Sequence, residues 1–226
     1  VSWYTWLEQG RDIKVSAQVL DAIADALRLD AHERAHLYRL AGLNPPPADP
    51  RAVGPLDPKL HRLLEGWLPR PAYILDRHWG LAAVNSMART VFGFSGRDHN
   101  CLVAFFTSSR YRAAFTHWEQ AAPDVVARFR ADAGKHPADP QFQRLVTHLS
   151  AISTEFARIW AQHEVTETGQ GRKFVTHPHV GEMVFDYTRL PLPDHPGHCL
   201  VLHNPAPGTE TADRLDLLTR EHRPVG

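Results

Sequence analysis

The chain has 226 residues, with 25 basic and 25 acidic side chains and a formal net charge of zero. That balance excludes a whole-protein attraction to nucleic acid or to an anionic membrane, and no apolar run reaches the roughly 18 residues of a bilayer span. Two widely separated cysteines, Cys101 and Cys199, fit no metal or redox spacing. They read as buried thiols, and with no signal-peptide pattern at the N-terminus a cytoplasmic location is expected.

Residues 1–11, VSWYTWLEQGR, read as the back half of a recognition helix. Tyr4 and Leu7 are three apart and face inward, while Ser2, Trp3, Thr5 and Trp6 face outward, where a groove-reading helix carries its contacts. An ordinary N-terminal helix with surface aromatics fits the same pattern. The helix-turn-helix reading expects further helices ahead of Val1. The first 44 residues hold five basic side chains (Arg11, Lys14, Arg28, Arg34, Arg39) against six acidic ones. Strong DNA binding by this stretch alone is not expected, since phosphate neutralisation supplies much of the affinity.

Ser16 is a candidate N-cap, followed by Leu20, Ile23, Ala24 and Leu27 at helical spacing. Asp30 and Glu33 form a capping-box pattern. The helix they open is predicted to turn Leu37, Leu40 and Ala41 inward and to stop at Gly42. Residues 45–56 are proline-rich and read as a stiff linker between domains at 1–44 and 57–226. A helix with Leu60, Leu63, Leu64 and Trp67 on one face follows. Residues 72–75 and 79–84 are predicted as a hairpin, and Asn85 caps a short helix through Phe92. Only helical signals occupy residues 110–163, with Ser153 as a cap. Beyond Gly169, taken as a turn with Gln170 and Gly171, the period becomes two. Strands are predicted at 174–177, 180–187 and 198–202, and a last helix at 212–220. A hairpin, a helical block and three strands predict an α+β fold, with helices over one face of a five-stranded antiparallel sheet. Such sheets often hold a small ligand beneath the helices.

The chemistry is sparse. Of fifteen histidines, the densest group is His177-Pro178-His179, with Glu182 nearby. His177 and His179 would share a strand face and Glu182 would point away. No further ligand spacing accompanies them, and a turn hydrogen bond at His177 is the simpler account. No nucleophile elbow or phosphate-binding glycine loop occurs. The helical block does carry eight large rings: Phe105, Phe106, Phe115, Trp118, Phe129, Phe142, Phe156 and Trp160. They either fill a core or line a deep apolar pocket. In the pocket reading, Asn85, Arg89, Arg110, Arg130 and His177 are candidates to orient a ligand head group, arginine pairing bidentately with a carboxylate. A solvated face or a salt bridge is the alternative for each arginine.

Several stretches taken in order resemble the MmyB-like family of actinobacterial regulators. They are residues 3–11, 16–29, 71–85, 118–119, 126–130, 139–140, 153–160 and 177–182. The resemblance implies an XRE-type helix-turn-helix followed by a PAS-like ligand-binding domain, and so a DNA-binding regulator, not an enzyme. It implies that two helices and the start of the recognition helix precede Val1. By position, Val1, Ser2 and Trp3 fall at base-reading sites, and Thr5, Trp6 and Arg11 at backbone contacts. It also implies a lipid-like effector, a long-chain fatty acid, with no required cofactor and no membrane partner. The ligand-site candidates are then Tyr73, Asn85, Arg89, Phe105, Phe106, Arg110, Trp118, Phe129, Arg130, Phe142, Phe156, Trp160 and His177. The expected partners are a double-stranded DNA operator, bound by a homodimer, and the effector, which shifts the population of DNA-binding arrangements. Two alternatives stay open at this point: an interaction module with a filled core and an exposed apolar face, and a metal-dependent hydrolase built on the histidines.

Overall fold

The computed structural model describes residues 15–43, 56–96, 98–166 and 169–221. The chain divides into two compact units, Val1–Val53 and Gly54–Gly226. The expected recognition-helix residues Val1, Ser2, Trp3, Thr5, Trp6 and Arg11 lie outside the described residues, as does nearly all of the proline-rich linker.

In the first unit, α1 (Ala17–Ala26) buries Leu20 and Ala24 against α2 (Ala31–Leu40). The capping box forms as expected. Glu33 N donates to Asp30 Oδ1 and Asp30 N donates to Glu33 Oε2, each at 2.9 Å. Two inward assignments do not hold. Leu27 falls on the C-cap of α1 and Leu40 on the last turn of α2, and both are exposed. Tyr38 is buried instead, because its hydroxyl can reach α1, where it donates to the Ala17 carbonyl and the Asp21 carboxylate. A pattern that counts only apolar residues misses a tyrosine whose polar tip has a partner. Arg34 joins the same group, 2.6 Å from Asp21 and 3.0 Å from Asp25.

The second unit is built on a five-stranded antiparallel sheet in the order β2-β1-β5-β4-β3. Its strands are β1 (Ala72–Leu75), β2 (Leu81–Val84), β3 (Gln170–His177), β4 (Gly181–Pro191) and β5 (Cys199–Pro205). The two outer hairpins meet at β5, the last strand in sequence but the central one in space. Between them run α4 (Ser86–Phe92), α5 (Cys101–Thr107), α6 (Ser109–Ala114), α7 (Trp118–Gly134), α8 (Pro140–Ile152) and α9 (Thr154–Trp160). These helices, with α10 (Thr211–Glu221), share the main core with one sheet face. The other face is also partly covered. Leu64 of α3 (Pro58–Gly66) packs with Ala72, Ile74, Ala83 and Leu200. The helical block thus covers one face as expected, and α3 adds partial cover to the other. Leu63, predicted inward, is exposed because one short helix presents a narrow stripe.

Several local expectations shift by a few residues. Trp79 lies in the hairpin turn, at a left-handed φ of 65°, and β2 begins at Leu81. The Asp76 carboxylate holds that turn by accepting from His78 N and Gly80 N, both at 2.8 Å. Gln170 and Gly171 are not a turn but the opening of β3. His177 ends β3 while His179 sits in the following turn, so they share no strand face; His179 N donates to His177 Nδ1 at 3.3 Å.

Asn85 is the polar centre of the fold. It is fully buried and caps α4 by accepting from Ala88 N at 2.8 Å. The same oxygen accepts from Ala72 N at 3.1 Å, and Nδ2 donates to the Leu64 and Arg70 carbonyls at 3.2 and 2.9 Å. Replacing it with alanine removes the partner of the Ala72 and Ala88 N–H groups and the amide donor to the Arg70 carbonyl, while the Leu64 carbonyl keeps its bond from Trp67 N. Asn85→Ala is expected to cost about 2–4 kcal/mol, read as a lower urea midpoint at unchanged slope; an unchanged midpoint would contradict the assignment.

Candidate ligand cavity on the sheet

Strand alternation sends Lys173 and Val175 of β3, Phe185, Tyr187 and Arg189 of β4, Val201 and His203 of β5, and Tyr73 and Leu75 of β1 to the helix-covered face. The register sets Lys173 beside Phe185, puts Gly171, Tyr187 and His203 in one row across β3, β4 and β5, and puts Arg189, Val201 and Tyr73 in another across β4, β5 and β1. Over this face the helices leave a cavity of about 250 Å³. Its walls include Tyr73, Trp79, Phe105, Tyr111, Phe115 and Tyr187, with α7 contributing Gln120, Asp124, Val125 and Arg128. The lining residues His117, Gln120, Asp124 and Arg172 are exposed, so the mouth lies between the start of α7 and the edge strand β3.

Gly171 is required here by space. A Cβ would meet the Tyr187 hydroxyl at 2.6 Å, so only glycine lets that ring lie across the neighbouring strand.

Four cations line the wall. Arg172 is paired with Asp186 at 2.8 Å, and Arg189 with Asp132 at 3.0 Å. Asp132 also accepts from the Trp79 indole at 2.9 Å, which holds that ring upright at the cavity edge. Burial pushes the Asp132 carboxyl up, but Arg189 and these hydrogen bonds outweigh it and leave the group below its ordinary range. Lys173 and Arg128 are different, for neither has a carboxylate partner within 4 Å among the described residues. Arg128 lies over the Tyr187 ring at 5.3 Å. Lys173 Nζ is 4.5 Å from the Phe92 ring centre, 5.4 Å from Phe115, and 5.6 Å from both Tyr73 and Tyr187. Its hydrogen-bond acceptor is the Tyr73 hydroxyl at 3.3 Å. The ring faces attract the cation, yet burial dominates and brings Lys173 down to about 8. Behind the rings, His203 is kept neutral by burial and by the Lys173 charge.

Of the candidates expected from sequence, Tyr73 and Phe105 line this cavity and the others do not. Asn85 is consumed by the backbone bonds described above. Arg89 is exposed on α4, and Arg110 points outward, 3.9 Å from Asp98. Arg130 sits over the Trp160 ring, 3.8 Å from its centre, and donates to the Trp160 carbonyl. Phe106, Trp118 and Phe156 fill the core between α5, α7 and α9, with Phe106 in edge contact with the other two. Phe129 packs among Trp79, Phe142 and Trp160, where the rings meet each other and not a void. His177 accepts its turn hydrogen bond at the far end of β3. Among the described residues, no three His, Cys, Asp or Glu side chains are grouped to hold a metal ion.

Lys173, Arg128, Tyr187 and Arg189 were missed by sequence reasoning. With β3 begun at Phe174, Lys173 fell outside the strand. The signal available was the alternation of Gly171, Lys173 and Val175, which places the lysine on the face of the buried valine.

Residues 56–218 match the family model described as "MmyB-like transcription regulator ligand binding domain", and residues 1–37 match a helix-turn-helix domain. The first match spans well over half of the chain. The chain belongs to the MmyB-like family. It thus joins a helix-turn-helix, a DNA-binding element, to a domain that takes a small-molecule ligand, which is the arrangement of a ligand-responsive transcription regulator. No curated protein matches the chain. Among solved structures, a crystal structure of the PAS domain of an HTR-like protein from Haloarcula marismortui matches at 10% identity and a TM-score of 0.30, covering 66% of this chain and 89% of that chain. No helix among the described residues is long and apolar enough to cross a membrane.

The lysine makes a pH prediction. Its folded value of about 8 lies below the ordinary 10.5. Between those values the unfolded chain binds more protons than the folded one, so stability rises with pH across the window. Urea midpoints at pH 8 and 9.5 should therefore increase in the wild-type protein, and Lys173→Met should lose that increment. Equal increments in both proteins would refute the assignment.

Proposed function

We propose that this MmyB-like regulator takes an amphipathic carboxylic acid, a fatty acid, as effector in the sheet cavity. The observation that carries the reading is Lys173, an ammonium without a carboxylate partner among the described residues, set in a ring-lined space beside Arg128, which donates to the Asp124 carbonyl and also has no carboxylate within 4 Å. A carboxylate supplies the missing charge, and the aromatic walls suit the chain. At about 250 Å³ the space falls just below the roughly 300–1,000 Å³ of common small-molecule sites. It suits a medium-length chain, and a long-chain acid would leave its tail in the mouth beside α7. No cofactor enters this reading.

The effector acts by differential affinity. It binds one arrangement of α7 and the edge strand better than another, and so shifts the population competent for DNA. A homodimer on a two-fold operator fits the modest surface that one recognition helix offers. The exposed mouth residues His117, Gln120 and Asp124, all on or beside α7, make that helix the element to transmit occupancy.

Decanoic acid is the first probe. Calorimetry should show saturable binding to the wild-type chain, roughly tenfold weaker in Lys173→Met, and much weaker binding of decanol. Decanoate affinity should fall as pH rises through about 8, with proton uptake on binding above that pH, because the anion draws a proton onto Lys173. Equal affinity for acid and alcohol would sink the carboxylate assignment. Unchanged affinity of the full chain for the DNA upstream of its own gene, with and without decanoate, would sink the switch.

A further inference from the structure

Lysine is scarce in this chain. Four of the 25 basic residues are lysines, Lys14, Lys59, Lys135 and Lys173, and the rest are arginine. Lys14 lies outside the described residues. The side chains of Lys59 and Lys135 are 80% and 54% exposed and sit near Asp57 and Asp132. On the cavity wall three basic positions, 128, 172 and 189, are arginine, whose guanidinium never gives up its proton. The position enclosed by four rings is the one that carries an amine.

The surroundings of that amine match what carbonyl condensation needs. A lysine desolvated in an apolar site beside another cation is the usual form of a Schiff-base nucleophile. Lys173 has both features, since burial and the Arg128 charge each lower its proton affinity and leave about a tenth as free amine at pH 7, far more than an exposed lysine. The Tyr73 hydroxyl stands 3.3 Å from Nζ and stays protonated, because burial holds it well above its ordinary value. The cavity in front of Nζ has room for an apolar chain.

We propose that Lys173 captures an apolar aldehyde as a Schiff base inside the cavity, so that the domain reads a reactive carbonyl compound as well as an acid. The inference rests on the same cavity being the effector site. The Nζ lone pair forms a bond to the carbonyl carbon while the C=O π pair moves to oxygen. One amine proton passes to that oxygen, relayed by the Tyr73 hydroxyl, and gives a carbinolamine. The carbon–oxygen bond then breaks, and hydroxide leaves with the second amine proton as water. The nitrogen pair forms the C=N bond. Amine plus aldehyde becomes imine plus water, and no oxidant or reductant is consumed.

The test uses the full wild-type chain with decanal and sodium cyanoborohydride at pH 7.5, followed by peptide mass mapping. Lys173 should acquire the decyl group at least ten times faster than Lys59 and Lys135, which serve as internal controls in the same folded molecule. Excess decanol, which lacks a carbonyl, should slow labelling at Lys173 alone. Tyr73→Phe should slow it further without altering the other two sites. Labelling of Lys173 no faster than the exposed lysines overturns the inference, whatever decanoate does in calorimetry. Selective labelling of Lys173 in a protein that fails to bind decanoate supports the aldehyde and rejects the acid.

Discussion

The ligand-binding unit hangs on one buried amide. The Asn85 side chain reaches the end of α3, Arg70 two residues before β1, the start of β1 and the start of α4 through four hydrogen bonds to backbone. These segments come from both sides of the sheet, so a single side chain sets where the back-face helix, the first strand and the helical block stand relative to one another. Leaving any of those backbone groups unpaired inside the protein would cost more than the bonds themselves contribute. That asymmetry makes the arrangement specific. Once β1 is placed, β5 pairs with it and β4 and β3 follow.

The cavity follows from how rings pack over a twisted face. Away from the cavity, Phe106, Phe129, Phe142, Phe156 and Trp160 meet one another in tilted, stacked and edge contacts and close the core. Toward β3 the layer changes. Gly171 gives up its side chain to Tyr187, and the strand then presents Lys173, a long polar chain that cannot be sealed in without loss of its hydration. Aromatic faces compensate in part, and the space beside the ammonium stays open. The same edge carries the ion pairs of Arg172 and Arg189. The wall therefore sorts its cations into two that are neutralised by aspartates and two that face the cavity without such a partner.

Much of the architecture was legible in residue order. Hairpin, helical block and three-strand meander follow from the change of period between 2 and 3.6. The caps at Asn85 and Ser153 and the capping box at Asp30 follow from short-range chemistry. The site was less legible. Seven of the eight rings of the helical block are buried and Trp160 is partly so, but periodicity gives the buried face of a helix and not whether its neighbour is a ring or a void. Phe105 and Phe106 are adjacent in sequence and in contact, yet one lines the cavity and the other the core. Of the arginine candidates, Arg89 and Arg110 lie on the surface and Arg130 sits over the Trp160 ring.

Local physics, then, could be read along the chain: which segments form helices or strands, where caps end them, and the family to which their order belongs. Those properties depend on neighbours within a few residues along the chain. Which charges go unpaired and which rings enclose space emerges only from contacts between distant segments. Lys173 meets Tyr73 across 100 positions of sequence, and Arg189 meets Asp132 across 57. Whether an ionisable group is satisfied, shifted or left facing a cavity is set by such distant partners, because burial and Coulomb interaction act through space and not along the chain.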